Sequence, residues 1–142
     1  MPGSVGRLHH VGYCVELNDL RSAADWFESV LGVTFAEYIR PELGLHVLLA
    51  WSEGIELIAP LDEPGSASSQ VRGFLDANGP GVFSVVVKVG DLEAAVTAAE
   101  RLGGSVLSRQ SESNTDFDLV LEEATLQLSF GLPLTLLQTN LE

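Results

Sequence analysis

The sequence contains few cysteines and few cationic side chains, and each shortage excludes a class of protein. Cys14 is the only cysteine among 142 residues, so the chain has no internal disulfide and no multi-cysteine metal cluster of its own. Seven Lys and Arg residues stand against twenty Asp and Glu residues, which gives a formal net charge of −13. A surface of this sign repels phosphate backbones and anionic membranes. We therefore expect neither nucleic acid nor a membrane as a partner.

Long apolar runs are also missing. No run is long enough to cross a bilayer, and the N-terminal segment MPGSVGRLHH has no hydrophobic signal core. The sequence therefore predicts a cytoplasmic protein. Its hydrophobic fraction is 46% and its charged fraction 19%, which is typical of a globular chain, and the length favours a single domain over residues 1–142.

An internal repeat organises the chain. The segments NDLRSAADWFESVLG (18–32) and GDLEAAVTAAERLGG (90–104) both carry apolar residues at helical spacing, and they match at an offset of 72 residues. Each follows a strand-like segment. Asp19 and Asp91 stand where an N-cap is expected, and glycines such as Gly32 stand where a helix ends. The pattern predicts two related helices.

Three β-type segments follow each predicted helix. They cover residues 33–40, 43–51 and 54–61 in the first half, and 105–111, about 116–130 and 132–139 in the second. The sequence HVLLAWSEGIELI (46–58) aligns without gaps onto TLQLSFGLPLTLL (125–137), so that Trp51 matches Phe130 and Leu49 matches Leu128. We therefore predict two βαβββ modules, of about 5–61 and 82–139, joined by a linker (62–81) with a short helix near 69–75.

This organisation predicts an α+β fold with a curved eight-stranded mixed sheet and helices on the outside. Strand alternation then assigns side chains to faces. Residues expected to pack under the helices include Val11, Tyr13, Val15, Leu126, Leu128 and Phe130. Residues expected on the opposite face include His10, Gly12, Cys14, His46, Leu48, Ala50, Glu56, Ile58, Ser84, Thr125 and Gln127. Because many of the latter are small or polar, we expect a solvent-reachable groove there.

The chain resembles the vicinal oxygen chelate superfamily of glyoxalases, bleomycin-resistance proteins, extradiol dioxygenases and epimerases. The resemblance is carried by HHVGYCV, DLRSAADWFESVLGV, IELIAPLDEPGSASSQVRGFL and VVVKVGDLEAAVTAAERLGG. IELIAPL followed by a Ser-rich loop and a short helix is most similar to methylmalonyl-CoA epimerases. The resemblance covers almost the whole chain and implies the paired-module fold. It also implies a homodimer.

The same resemblance implies a metal site with one ligand from each of four strands. Those positions fall on His10, Glu56, Ser84 and Thr135. The sequence keeps an imidazole and a carboxylate but has hydroxyls at the other two. Since a divalent cation normally needs three protein ligands to be held firmly, we expect no firmly bound cofactor, only a weakly held divalent metal at an incomplete site of His10 and Glu56.

Two functions from different classes remain open: the retention of His10, His46 and Glu56 together favours the first, and the loss of two ligand positions favours the second. The first is an enzyme that epimerises, isomerises or cleaves a small carbonyl compound or a CoA thioester by moving a proton next to the carbonyl, with His46 and Glu56 as catalytic residues. His46 occupies the position closest to the catalytic base of the epimerases. Residues expected to bind the substrate are His10, Ser84, Thr125, Gln127 and Thr135. The second is a metal-free binding protein that sequesters a ligand, such as an antibiotic, without catalysis.

Overall fold

The computed structural model describes residues 5–114 and 119–140. Its strands are β1 (Arg7–Cys14), β2 (Ala36–Arg40), β3 (Leu45–Ala50), β4 (Ile55–Pro60), β5 (Gly81–Lys88), β6 (Ser105–Asn114), β7 (Leu119–Gln127) and β8 (Pro133–Thr139). Its α-helices are α1 (Leu20–Leu31), α2 (Ser68–Asn78) and α3 (Leu92–Arg101). Short 3₁₀ turns cover Leu17–Asp19 and Ser129–Gly131. Part of the predicted 116–130 segment lies outside the described residues.

The chain divides into two compact units. One unit comprises His10–Phe83, and the other combines the described residues up to His9 with those from Ser84 onward. In the first, the strand order is β2-β3-β4-β1, with β1 and β4 parallel. In the second, it is β5-β8-β7-β6, with β5 and β8 parallel. The other pairs are antiparallel. The predicted α+β fold, with two βαβββ modules and eight strands of mixed direction, is confirmed.

The ends of the repeated helices follow local sequence signals. The Asp91 side chain accepts a hydrogen bond of 3.0 Å from the Ala94 amide and caps α3. Asp19 occupies the N-cap position of α1 but makes no side-chain capping bond. Gly32 ends α1 with φ 72°, a left-handed conformation in which its missing Cβ removes a steric penalty. None of the helices described is both long and apolar enough to span a membrane.

Each repeated helix packs on one face of its own module. Leu20 and Ala24 of α1 form a cluster with Leu48, Leu57 and Ala59, and Tyr13 and Val15 lie against it as predicted. The corresponding cluster of the second module comprises Leu92, Val96, Ala124, Leu126 and Leu136. Burying each Leu or Val side chain of these clusters contributes about 1.5–3 kcal/mol. These two clusters therefore fix which face of each module carries α1 or α3.

The buried position predicted for Phe130 is wrong. Its side chain is 98% exposed, whereas Leu126 is buried and Leu128 packs against the α3 cluster. The cause is that β7 ends at Gln127, so strand alternation no longer applies beyond it. Phe130 instead lies in a 3₁₀ turn with φ 72°, a conformation uncommon for a residue with a Cβ.

The open groove predicted on the first module is partly filled, because the linker helix α2 packs on that face. Val71 and Leu75 of α2 pack on Cys14, Leu45 and Ile58, which lie on the face opposite α1. The polar side of this module is therefore partly filled by the linker. What stays uncovered by this cluster is the end of the face where His10 and Glu56 lie.

Candidate functional site

His10 and Glu56 are brought together on neighbouring parallel strands. Gly12 of β1 pairs with Glu56 of β4, and His10, two residues before Gly12, points to the same face because strand side chains alternate. His10 Nε2 lies 3.5 Å from Glu56 Oε1. The His10 side chain is 5% exposed and the Glu56 side chain 20% exposed. The carboxylate is therefore the more accessible member of the pair.

Trp51 is a further residue of this site that the sequence reasoning did not assign. It follows β3 directly, and its ring centroid lies 5.9 Å from that of His10 with the planes tilted by 38°. Its ring contact with His10, and not strand alternation, places it at this site, because β3 ends at Ala50. No signal in the sequence identified it, because the direction of a turn side chain depends on the tertiary structure.

The strand neighbours of Glu56 on this face carry no polar atoms in their side chains. Glu56 pairs with Gly12 on one side and with Leu49 on the other. Among the described residues, the only polar side chain recorded near the carboxylate is the His10 imidazole. A carboxylate in such surroundings is unfavourable unless it is paired or reached by solvent or ligand, and the His10 contact answers part of that requirement.

His46 lies on the opposite face from Glu56, so the prediction that both line one wall is wrong. His46 pairs with Ala59, whereas Glu56 pairs with Leu49, and directly paired residues share a face. Ala59 belongs to the α1 cluster. The His46 imidazole Nε2 lies 2.8 Å from Glu37 Oε2, an interaction on the α1 side of the sheet.

The length of the β3–β4 loop explains this error. Ala50 pairs with Ile55, so the loop comprises residues 51–54. In this register each even-numbered residue of β3 pairs with an odd-numbered residue of β4, and the two share one face of the sheet. On the Glu56 face, β3 presents apolar side chains. These are Leu45, Val47 and Leu49.

The gapless alignment of the two hairpins is also wrong. In the first hairpin Leu49 pairs with Glu56, and in the second Thr125 pairs with Thr135. If Glu56 corresponds to Thr135, then Leu49 corresponds to Thr125, three residues before the predicted Leu128. The second hairpin carries a longer loop, and an odd shift exchanges the two faces. Trp51 therefore does not correspond to Phe130.

In the second module, three hydroxyls form a connected cluster on the face opposite α3. Ser84 Oγ lies 2.7 Å from Thr135 Oγ1, and Thr125 Oγ1 lies 3.3 Å from Thr135 Oγ1. Ser84 and Thr135 are each 4% exposed. The structure thus brings these three sequence-predicted residues together. Gln127, which pairs with Pro133 at the end of β7, is exposed and makes no recorded hydrogen bond to the cluster.

The two polar pairs occupy equivalent positions in their modules. Thr135 of β8 pairs with Val86 of β5, and Ser84 precedes Val86 by two residues, as His10 precedes the Gly12 partner of Glu56. The imidazole and carboxylate of the first module are therefore replaced by two hydroxyls in the second.

This donor set does not fit a firmly held divalent metal. Neutral hydroxyls are weak ligands beside imidazole, carboxylate or thiolate. Within residues 5–114 and 119–140, no group of three or more His, Cys, Asp or Glu side chains could hold a metal ion. His10 and Glu56 are the strong ligands at the positions implied by the family, and two such ligands leave coordination incomplete.

Ion pairs away from these clusters engage several of the cationic side chains. Arg72 of α2 donates to both carboxylate oxygens of Glu16, and these hydrogen bonds hold the pKa of Glu16 below its usual value. Arg109 is paired with Glu93.

Burial against α2 raises the pKa of the Cys14 thiol, which keeps it protonated and supports a packing role.

Comparison with known proteins identifies the family. The model of the Glyoxalase/Bleomycin resistance protein/Dioxygenase superfamily matches residues 9–119, well over half of the chain. No curated protein matches the chain.

Solved structures resemble the chain over nearly its whole length. They include a variant of methylmalonyl-CoA epimerase from Streptomyces coelicolor in complex with 2-nitronate-propionyl-CoA, with a TM-score of 0.71, 19% identity and coverage of 97% of this chain and 100% of that chain. The methylmalonyl-CoA epimerase from Mycobacterium tuberculosis gives a TM-score of 0.67 and 25% identity, and the match covers 97% of this chain and 91% of that chain. A mutant 4-hydroxymandelate synthase from Streptomyces coelicolor gives a TM-score of 0.69 and 22% identity, and the match covers 95% of this chain and 49% of that chain. The chain therefore belongs to the glyoxalase/bleomycin resistance protein/dioxygenase superfamily.

Proposed function

We propose that this protein binds a small carbonyl or thioester ligand without a firmly held metal and without catalysis. The observation that carries the proposal is the Ser84–Thr135 pair, whose 2.7 Å hydrogen bond stands at the register positions equivalent to His10 and Glu56. Hydroxyls donate to a carbonyl oxygen without supplying charge. The epimerase in complex with methylmalonyl-CoA, which resembles this chain in fold, motivates the choice of ligand class.

The faces of β3 support binding over proton transfer. A base on β3 that works with Glu56 would have to lie on the Glu56 face, and that face carries Leu45, Val47 and Leu49. His46 lies on the other face and contacts Glu37. A base must come within hydrogen-bonding reach of the proton it removes, so the joint action of His46 and Glu56 is not part of this proposal.

A second candidate, an epimerase, isomerase or lyase, is favoured by the His10–Glu56 contact. The Glu56 carboxylate is partly exposed and His10 Nε2 lies 3.5 Å away. In this mechanism, Glu56 takes a proton from the carbon next to a carbonyl, and the electron pair of the broken C–H bond moves into the carbonyl as an enolate. The imidazole of His10 orients the carboxylate.

One pair of measurements separates the two functions. Binding of propionyl-CoA, and of a CoA-free propionyl thioester, is measured by calorimetry, and exchange of the α-proton for deuterium is followed by mass spectrometry. Binding that is lost in the folded double variant Ser84→Ala/Thr135→Val, without exchange above background, supports the binding protein.

The remaining outcomes decide against it. Exchange that falls by about two orders of magnitude in Glu56→Gln, but stays unchanged in the exposed-loop variant Glu63→Gln, establishes the enzyme instead. Failure of both thioesters to bind overturns both functions.

A further inference from the structure

The carboxylate of Glu56 is open to a hydrogen-bond donor from outside the chain. Among residues 5–114 and 119–140, its recorded polar contact is the His10 imidazole at 3.5 Å from Oε1, which exceeds ordinary hydrogen-bond length. The side chain is 20% exposed. A carboxylate accepts through two oxygens, so acceptor capacity remains for a ligand.

The surroundings of this carboxylate strengthen any charge that approaches it. Its strand neighbours on the same face are Gly12, which has no side chain, and Leu49. Apolar and partly buried surroundings lower the local dielectric and make a charge-assisted hydrogen bond stronger than on an open surface. A cationic N–H donor gains most from this position.

An aromatic ring borders the same site. The Trp51 ring lies 5.9 Å from the His10 ring, centroid to centroid, and Glu56 contacts the same imidazole. Indole faces attract cations and stack on planar groups. A carboxylate and an indole that contact the same imidazole together favour a ligand group that is both planar and positively charged.

The negative net charge of the whole chain also favours a cationic ligand. The net charge is −13, and Arg21, Arg40, Arg72 and Arg109 are each engaged with carboxylates in ion pairs. The field of such a protein concentrates cations and depletes anions near its surface. An organic cation is therefore attracted to the surface of this protein.

We propose that the first module binds a planar cationic group, such as an amidinium or guanidinium, at the Glu56 carboxylate beside Trp51. The inference goes beyond the proposed function, because it assigns a second binding position, on the Glu56 face of the first module. It assigns Trp51 as a specificity-determining residue.

Three probes of nearly identical shape test this assignment. Benzamidinium, benzamide and benzoate are titrated into Trp26→Phe protein, which leaves Trp51 as the single tryptophan of the two in the chain. Trp26 is 62% exposed on α1. We expect saturable quenching of Trp51 by benzamidinium, with a Kd at least about tenfold lower than for benzamide, because a bidentate ion pair with the carboxylate replaces a hydrogen bond from a neutral amide. Benzoate should give no saturable signal.

Substitutions locate the preference. Glu56→Gln should bring the benzamidinium-to-benzamide ratio to about one, and Glu56→Asp, which keeps the charge, should retain a preference. Glu63→Gln removes one charge from an exposed loop and should leave the ratio unchanged. Calorimetry on Trp51→Ala should show weaker binding of both probes. Thermal unfolding of each variant confirms that it is folded.

Three results would overturn the assignment: an unchanged ratio in Glu56→Gln, an equal loss in Glu63→Gln, or benzoate binding as tightly as benzamidinium. The first two would trace cation binding to the general negative field. The proposed function is judged separately by the thioester titration of the Ser84→Ala/Thr135→Val variant. Thioester binding together with any of these three results would leave the function standing and reject only the cationic ligand.

Discussion

The Ser84–Thr135 hydrogen bond can be removed from one side or from both, and the three resulting variants test how this cluster is held. Both side chains are 4% exposed and their oxygens are 2.7 Å apart. Thr135→Val removes the recorded partner of Ser84 and leaves a buried hydroxyl unsatisfied. Ser84→Ala leaves Thr135 with Thr125 at 3.3 Å, a longer contact.

The loss of stability in each variant depends on whether the hydroxyl that remains still has a hydrogen-bond partner. An unsatisfied buried polar group costs about 1–3 kcal/mol, whereas replacing both partners by apolar groups is nearly neutral. We therefore expect Thr135→Val to lower the free energy of unfolding by about 2 kcal/mol and Ser84→Ala by about 1 kcal/mol, because Thr125 compensates in part. The double variant should lose less than about 1 kcal/mol.

Urea unfolding at 25 °C measures this cycle. The coupling between the two substitutions should be about 2 kcal/mol, and the m-values should be unchanged because the same surface is exposed on unfolding. Because the double variant is expected to stay folded, it is the variant used in the binding experiment. Losses that add to within about 0.5 kcal/mol would show that the two hydroxyls are not coupled, and the reasoning from the 2.7 Å contact would be wrong.

Four further expectations concern packing, ionisation, metal and assembly. A Cβ on Gly65 would lie 2.1 Å from the Gly44 amide nitrogen, so Gly65→Ala should cost at least about 2 kcal/mol in urea unfolding. Gly73→Ala, within α2 and with nothing within 4 Å, should instead gain about 0.5–1 kcal/mol. Arg72 lowers the pKa of Glu16, so the stabilisation from this pair is complete above the unfolded-state pKa of about 4.3 and is lost as the pH falls through the lower folded-state value. Glu16→Gln should therefore lower Tm at neutral pH but not near pH 2, and an equal difference at both pH values would contradict the ion pair. Elemental analysis of protein purified without chelators should find no stoichiometric transition metal, and about one metal per chain would refute the incomplete-site argument. Light scattering at micromolar concentration should report a homodimer, and a monomer would reject that prediction.

The sequence by itself determined the elements that depend on local signals. Apolar spacing, the Asp91 cap and the Gly32 terminus located α1 and α3 to within a few residues. The repeat of these helices, each followed by three strands, was enough to predict two βαβββ modules. These signals act between neighbours in the chain, where backbone hydrogen bonding and the helical period constrain the answer.

Only the tertiary structure decided the register of the hairpins. A loop of residues 51–54 places His46 on the α1 face, and a loop longer in the second module places Thr125 beside Thr135. The side-chain period of a strand is two, so one residue more or less in a loop exchanges the faces. Polar residues such as His46 do not reveal which of two faces they occupy until the pairing partner is known.

The tertiary structure also decided what covers each face. The linker helix α2 packs Val71 and Leu75 on Cys14 and Ile58, a contact between segments far apart in the chain that composition does not predict. Burial against a distant segment depends on how the chain closes its loops, and loop closure is set by the balance of all packing contacts rather than by local pattern. For this reason the family resemblance could single out His10, Glu56, Ser84 and Thr135 as candidates, but only the structure showed which of them are in contact and that Trp51 lies beside His10.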